Sequence, residues 1–266
     1  MNEDRRIALL IDADNISEKY IRSILDEISL YGSPTYKRIY GDWTTPQMGK
    51  WKPVLLEHSI TPIQQYRYTV GKNATDSAMI IDAMDILYSG KVDGFCLASS
   101  DSDFTKLATR LREAGMFVLG MGEKKTPAPF KAACETFKYL EVLAAAAEPE
   151  EEDLKKAEPH RDESRPKTGK RKKGDELETV VAGMKELCES IRQVINQNSD
   201  EEGWTYLSQI GTMLGRIYPD FDPRNYGYSK LHKLIEDTGM FEEQITDSGR
   251  GTKHYLFRNI AKKRRR

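Results

Sequence analysis

Cysteine is scarce in this chain. There are three in 266 residues (Cys96, Cys134 and Cys188), an odd number, widely spaced and without a CxxC pair. Neither a disulfide framework nor a zinc knuckle is suggested, and the expected setting is a reducing cytoplasm. No stretch approaches eighteen consecutive apolar residues, and the apolar run in the opening MNEDRRIALLID is too short for the core of a secretory leader, so no membrane segment is expected. Histidine is also sparse. None of His58, His160, His232 and His254 accompanies an HExxH or GxSxG motif, and neither a P-loop nor a GxGxxG fingerprint occurs. Charge of one sign is not in excess either. With 41 Lys and Arg against 42 Asp and Glu, the molecule as a whole is no polycation. Its basic residues are instead concentrated in RDESRPKTGKRKK (161–173) and the terminal KKRRR, each either a phosphate-meeting run or a solvated linker and tail.

What is present begins with alternation. Short apolar runs at Ile7–Asp12, Tyr36–Asp42, Ile60–Tyr66, Gly94–Ser99 and Met116–Met121 read as strands. Helical periodicity fills Ser17–Tyr31, Gln47–His58, Thr75–Tyr88 and Phe104–Ala114 between them. Strands without polar alternation, separated by helices, predict an α/β fold with a parallel sheet covered on both faces. At Ala144 the composition turns to AAAAEPEEE and then to blocks of opposite charge, so residues 144–176 are expected to be a flexible charged linker. Beyond it, residues 177–259 offer three helical patterns and two short strands around a turn at Ser248–Gly251, which is a winged-helix-like plan. Residues 260–266 form a basic tail.

The chemistry concentrates in acids placed where elements change. LLIDADN carries a buried strand into Asp12, at the carboxyl end where open α/β sheets bind ligands. Asn15 stands either as a helix cap or as a donor to a water or phosphate, and Asp14 faces solvent or helps cap the same helix. LASSDSDF repeats the arrangement with Ser99, Ser100, Asp101 and Asp103. A helix start needs one cap, and two acids with two serines in five residues exceed that need. Asp76 opens a helix whose buried face contains Met79, Ile80, Ala83, Met84 and Leu87; Asp82 and Asp85 are expected on its opposite side. If Asp12, Asp76, Asp101 and Asp103 meet, mutual repulsion raises their pKa values, and a divalent cation held between them keeps them ionised. With no nucleophile and base pair in competition, the expected reaction is cation-assisted attack of water on a phosphodiester.

These segments resemble a known family. IALLIDADNIS, IYGDW, KNATDSAMIIDAMD and LASSDSDFTKLATRLREAGMFVLGMG are similar, in order and spacing over residues 5–143, to the NYN domain, a PIN-like nuclease fold. The resemblance implies a metal-dependent ribonuclease with Asp12, Asp76, Asp101 and Asp103 as its acidic centre, Asn15 as partner of the first acid, and Mg²⁺ or Mn²⁺ as cofactor. Trp43 either stacks on a base or packs beside the sheet end. Ser99 and Ser100 either bind phosphate oxygens or simply satisfy the turn, and with Trp43 and Lys72 they are the expected nucleic-acid contacts of this half. GWTYLSQIGTMLGRIYPDFDPRNYGYSKLHKLIED and HYLFR resemble the LOTUS (OST-HTH) domain, a winged helix associated with RNA binding. Gly203, Trp204, Leu207, Leu214, Phe221, Tyr226, Gly227, Leu231 and Leu234 fit that pattern, most of them as core, while Arg224, Tyr226, Lys230 and Lys233 are its expected RNA contacts.

The domain expectation is therefore 1–143 nuclease, 144–176 linker, 177–259 winged helix and 260–266 tail. The functional expectation is an RNA endonuclease whose second domain tethers substrate. The alternatives are an RNA-binding adaptor that no longer cleaves, or a scaffold whose LOTUS-like half docks a protein of RNA processing such as a helicase.

Overall fold

A computed structural model describes residues 5–66, 74–147, 173–247 and 253–260, with only the backbone described for residues 74 and 173–182. Two compact units result, one reaching to Ala147 and the other built on the helix that starts at Lys173.

In the first unit the chain runs β1 (Arg5–Asp12), α1 (Ile21–Ile28), β2 (Gly32–Gly41), α2 (Trp51–His58), β3 (Thr61–Gln64), α3 (Ala74–Ser89), β4 (Gly94–Ala98), α4 (Thr105–Glu113), β5 (Phe117–Gly122), α5 (Ala128–Ala133), β6 (Thr136–Tyr139) and α6 (Leu140–Ala147). All six strands are parallel, in the order β3-β2-β1-β4-β5-β6. The period-2 alternation of β1 shows why both faces must be covered. Ile7, Leu9 and Ile11 enter one core with Ile21, Ile24 and Ile28 of α1, Leu55 of α2 and Leu140 of α6. Ala8 and Leu10 enter the other with Met79 and Ala83 of α3, Leu107 and Leu111 of α4 and Phe130 of α5. Asp12, next in the alternation, belongs to the face covered by α3 and α4.

The order matters for function because the chain leaves β1 in one direction and returns beside it as β4. Their carboxyl ends part there, opening a crevice at the switch point of the sheet. β1 and β4 are in register from Ile7 opposite Gly94 to Ile11 opposite Ala98, so Asp12 and Ser99 emerge at the same level.

The second unit contains α7 (Lys173–Asn198), β7 (Thr205–Tyr206), α8 (Leu207–Ile217), α9 (Leu231–Asp237), β8 (Phe241–Asp247) and β9 (Lys253–Asn259). The strands form an antiparallel sheet β7-β9-β8, the arrangement of a winged helix. The hairpin turn expected at Ser248–Gly251 lies outside the described residues. The core comes from Leu187, Ile191 and Ile195 of α7, Ile210 and Leu214 of α8, Leu234 and Ile235 of α9, and Leu256 and Phe257 of β9.

Three sequence expectations need correction. Residues expected to open and close the linker are helical, because α6 runs through the alanines to Ala147 and α7 begins at Lys173; alanine is the strongest helix former. Of the nine LOTUS-pattern residues, Leu214 and Leu234 alone are buried. Gly203 and Gly227 serve conformation instead: their φ values of +87° and +84° lie in the left-handed region that glycine alone enters freely. Finally, Asp82 is on the sheet-facing side of α3. It is three residues after Met79 and four before Ile86, both buried, so it shares their side, whereas Asp85 is exposed.

Candidate metal centre

Asp12 leaves β1 fully buried. One oxygen, Oδ2, accepts from the Asn15 side-chain amide (2.7 Å) and from the Ser99 hydroxyl (2.8 Å), while Oδ1 accepts from the Asp14 backbone N–H (3.0 Å). Burial pushes the Asp12 carboxyl above its ordinary range, and these three donors oppose the push. Asn15 is therefore a direct partner of the first acid.

Ser99 links the two sides of the crevice. Its hydroxyl donates to Asp12 and accepts from the Asp101 backbone N–H (3.0 Å). Asp101 in turn caps the short 3₁₀ turn at Ser102–Phe104 by accepting from the Asp103 N–H (3.0 Å). Ser100 accepts from the Glu123 N–H (2.9 Å), tying the loop to the end of β5. Both serines are buried and their hydroxyls brace the acidic loop, which is the turn-satisfying alternative of the two that the sequence left open.

Asp76 arrives from α3. It offers one carboxylate oxygen to a group with Asp101 and Asp103 in which the ligand atoms all lie within 4.8 Å of one another. Asp76 is half-buried, Asp101 is partly buried and Asp103 is exposed, an arrangement open to solvent on one side. Desolvation and then the charges of Asp12, Asp101, Asp103 and Asp14 push the Asp76 carboxyl up to about 6. Asp12 thus acts electrostatically on the cleft, although its own oxygens are not in the three-residue group. Three aspartates supplying hard oxygen donors at this spacing fit Mg²⁺ or Mn²⁺, which take a few carboxylates and keep waters. Asp14, left ambiguous by sequence, contributes to the negative field, and its spacing of two from Asp12 is the signal for it.

The remaining expected contacts are placed as follows. Trp43 follows β2 and packs against the core, its indole N–H donating to the Ile63 carbonyl (2.9 Å), so it takes the packed alternative. Asp42 beside it is buried and accepts from Thr44 and Gln64. Lys72 lies outside the described residues. In the second unit, Arg224 makes a two-pronged pair with buried Asp222 (3.0 and 2.7 Å), which commits its guanidinium to the turn. Tyr226 is half-buried, and Lys230 and Lys233 are exposed at the start of α9 and within it.

A doubly wound parallel sheet with an acidic cleft at its switch point, followed by a winged helix, is the architecture of a PIN-like domain joined to a nucleic-acid-binding type of module. The chain belongs to the NYN domain family, whose model matches residues 6–141, and residues 183–252 match the OST-HTH/LOTUS domain. NYN domains are generally ribonuclease-type hydrolases. Among solved structures, one similar chain is a protein of unknown function from Vibrio parahaemolyticus, at 18% identity and a TM-score of 0.43, covering 52% of this chain and 93% of that one. No curated protein matches. Among the described residues, no helix is long and apolar enough to cross a membrane.

Proposed function

We propose that the protein is a metal-dependent RNA endonuclease, with Asp76, Asp101 and Asp103 as the direct cation ligands and Asp12 as the buried acid behind them. The observation that carries this reading is the convergence of those three carboxylates on one solvent-open point, Asp76 delivered by α3 and Asp101 and Asp103 by the turn that follows β4. A divalent ion bound there supplies positive charge to a phosphoryl oxygen and lowers the pKa of its water. The chain's own residues do the rest. Asn15 and Ser99 hold the Asp12 carboxylate in one orientation, and the Asp101 cap fixes the turn that presents Asp103. The donors to Asp12 work against its burial and favour the ionised form, whose charge then acts in a low-dielectric site on what enters the cleft.

The winged helix is the proposed substrate-recruiting module, raising the local RNA concentration at the cleft. Exposed Lys230 and Lys233 are its proposed phosphate contacts, with Tyr226 as a stacking surface. Replacing both lysines by alanine is expected to weaken RNA binding evenly across sequences and to flatten the dependence of log affinity on log salt by about 1.4, two phosphate contacts at about 0.7 each on a single strand. Fluorescence anisotropy at several salt concentrations measures this, and an unchanged slope removes the two lysines from the interface.

The decisive experiment incubates the purified chain with end-labelled RNA and DNA strands in Mg²⁺, Mn²⁺ or EDTA, beside a variant with all four aspartates changed to asparagine. Cleavage of RNA that needs the cation and is lost in the variant is expected. Equal cleavage by the variant ends the proposal, and RNA binding without cleavage turns the reading into that of an adaptor.

A further inference from the structure

Asp82 on α3 is bound by two residues of β2. Arg38 pairs with one of its oxygens and the Tyr40 hydroxyl donates to the other. Arg38 and Tyr40 are two apart on one strand and so share a face, and the Arg38 guanidinium lies 5.2 Å from the Tyr36 ring on that same side, which steadies it. Tyr40 is fully buried; burial and the adjoining carboxylate push its phenol above the usual range, which makes it a permanent donor. None of these groups belongs to the acidic cleft.

Their position gives them a connection to it. Tyr40 is the residue of β2 directly in register with Asp12 of β1, and its carbonyl accepts from the Ala13 N–H (3.0 Å). Asp82 lies six residues along α3 from Asp76, about 9 Å of helix axis at 1.5 Å per residue. The same clamp therefore references the helix that carries Asp76 to the row of the sheet that carries Asp12. The apolar contacts of α3 do not supply this precision. Its buried face includes Met79 and Ala83, an adaptable side chain and a small one, and apolar packing is non-directional. A two-oxygen acceptor held by a guanidinium and a phenol is directional in both rotation and translation.

We infer that Arg38, Tyr40 and Asp82 form a positioning clamp that fixes α3 against β2 and so sets where Asp76 meets Asp101 and Asp103. The inference rests on the reading of the acidic cleft as a cation site, whose ligands must be placed closely because Mg²⁺ tolerates little departure from its preferred geometry. Partners that hydrogen-bond metal ligands directly typically contribute about 10- to 100-fold in affinity, and the clamp acts one step further out, through the seating of α3.

The test titrates Mn²⁺ into the full-length chain without RNA, by calorimetry or by the electron paramagnetic resonance of free Mn²⁺. Asp82→Ala is expected to weaken Mn²⁺ binding by up to about 10-fold, the lower end of what a partner in direct contact with a ligand contributes. Tyr40→Phe, which keeps the ring and removes the hydroxyl, is expected to weaken it less but in the same direction, and remains informative if Asp82→Ala folds poorly. Asp85→Asn, on the exposed side of α3, is expected to bind as the parent does. Because the ligands survive in both clamp variants, cleavage should return towards the parental rate as Mn²⁺ is raised. Lower melting temperatures with parental Mn²⁺ affinity in both variants would reduce the clamp to a purely structural contact and overturn the inference alone. A parent that binds no Mn²⁺ overturns the cation-site reading and the inference together.

Discussion

Changing Asp101 to asparagine is expected to lower cation-dependent RNA cleavage by at least about 100-fold, since even partners outside the ligand shell are worth up to that much. The substitution separates chemistry from architecture. Asp101 has two duties: its carboxylate is one of the three converging ligands, and Oδ1 caps the turn through the Asp103 N–H. Asparagine caps about as well as aspartate, so the second duty survives while the charge is lost. The backbone N–H of Asp101, which holds the Ser99 hydroxyl, is untouched. The variant should therefore keep the parental circular dichroism and melt no lower than the parent in EDTA, because a repelling charge has been removed. Undiminished cleavage by such a well-folded variant would falsify the assignment of Asp101.

The second large effect concerns stability. Asp76 holds its proton up to about pH 6 in the folded chain, against an ordinary value of 3.8. The folded state thus binds the proton more tightly, and this contribution is fully present below about pH 4 and lost as the pH rises through 6. Burial pushes Asp12 in the same direction. In EDTA, Asp76→Asn is consequently expected to melt above the parent at pH 7.5 and to show little advantage at pH 4. A gain of about 2–4 °C corresponds to the shift reduced for the solvent screening of a half-exposed carboxyl. Adding Mn²⁺ should stabilise the parent and leave the variant nearly unmoved, reversing their order, because a cation binds only where its ligands are charged. Differential scanning fluorimetry across pH, with and without Mn²⁺, checks both statements. A parent whose melting temperature is the same at pH 5 and pH 7.5 in EDTA, and equal to that of the variant, removes the electrostatic basis of the cleft.

Much of this arrangement was legible because burial on two faces leaves a simple imprint. IALLI and GFCLA are continuous apolar runs, the first ended by Asp12 and the second by two serines and Asp101, and each forms a strand that leads its acid to the crevice. β6 was missed for the opposite reason. TFKY is short and contains a lysine, but Lys138 is buried 3.8 Å from Glu27 of α1, a pairing visible only once the strands are assembled. A buried face defined by Met79, Ile80, Ala83, Met84 and Leu87 alone leaves Asp82 on the wrong side of α3, and its partners Arg38 and Tyr40 lie more than forty residues away in sequence. The serines show a further limit: LASSDSDF leaves open whether Ser99 and Ser100 meet phosphate or satisfy the turn, and the bonds they make to Asp12 and Glu123 are visible only in three dimensions. In the winged helix a pattern of apolar residues and glycines does not say which of them are buried, and at Gly203 and Gly227 backbone angle, not packing, sets the requirement.

The strand order β3-β2-β1-β4-β5-β6 also divides labour within the cleft. Its floor is anchored by the two central strands, which pair from Ile7 opposite Gly94 to Ile11 opposite Ala98, whereas Asp76 is carried by a helix packed on one face of the sheet. The innermost aspartate therefore stays where the middle of the sheet puts it, while the approach of Asp76 follows whatever changes the seating of that helix.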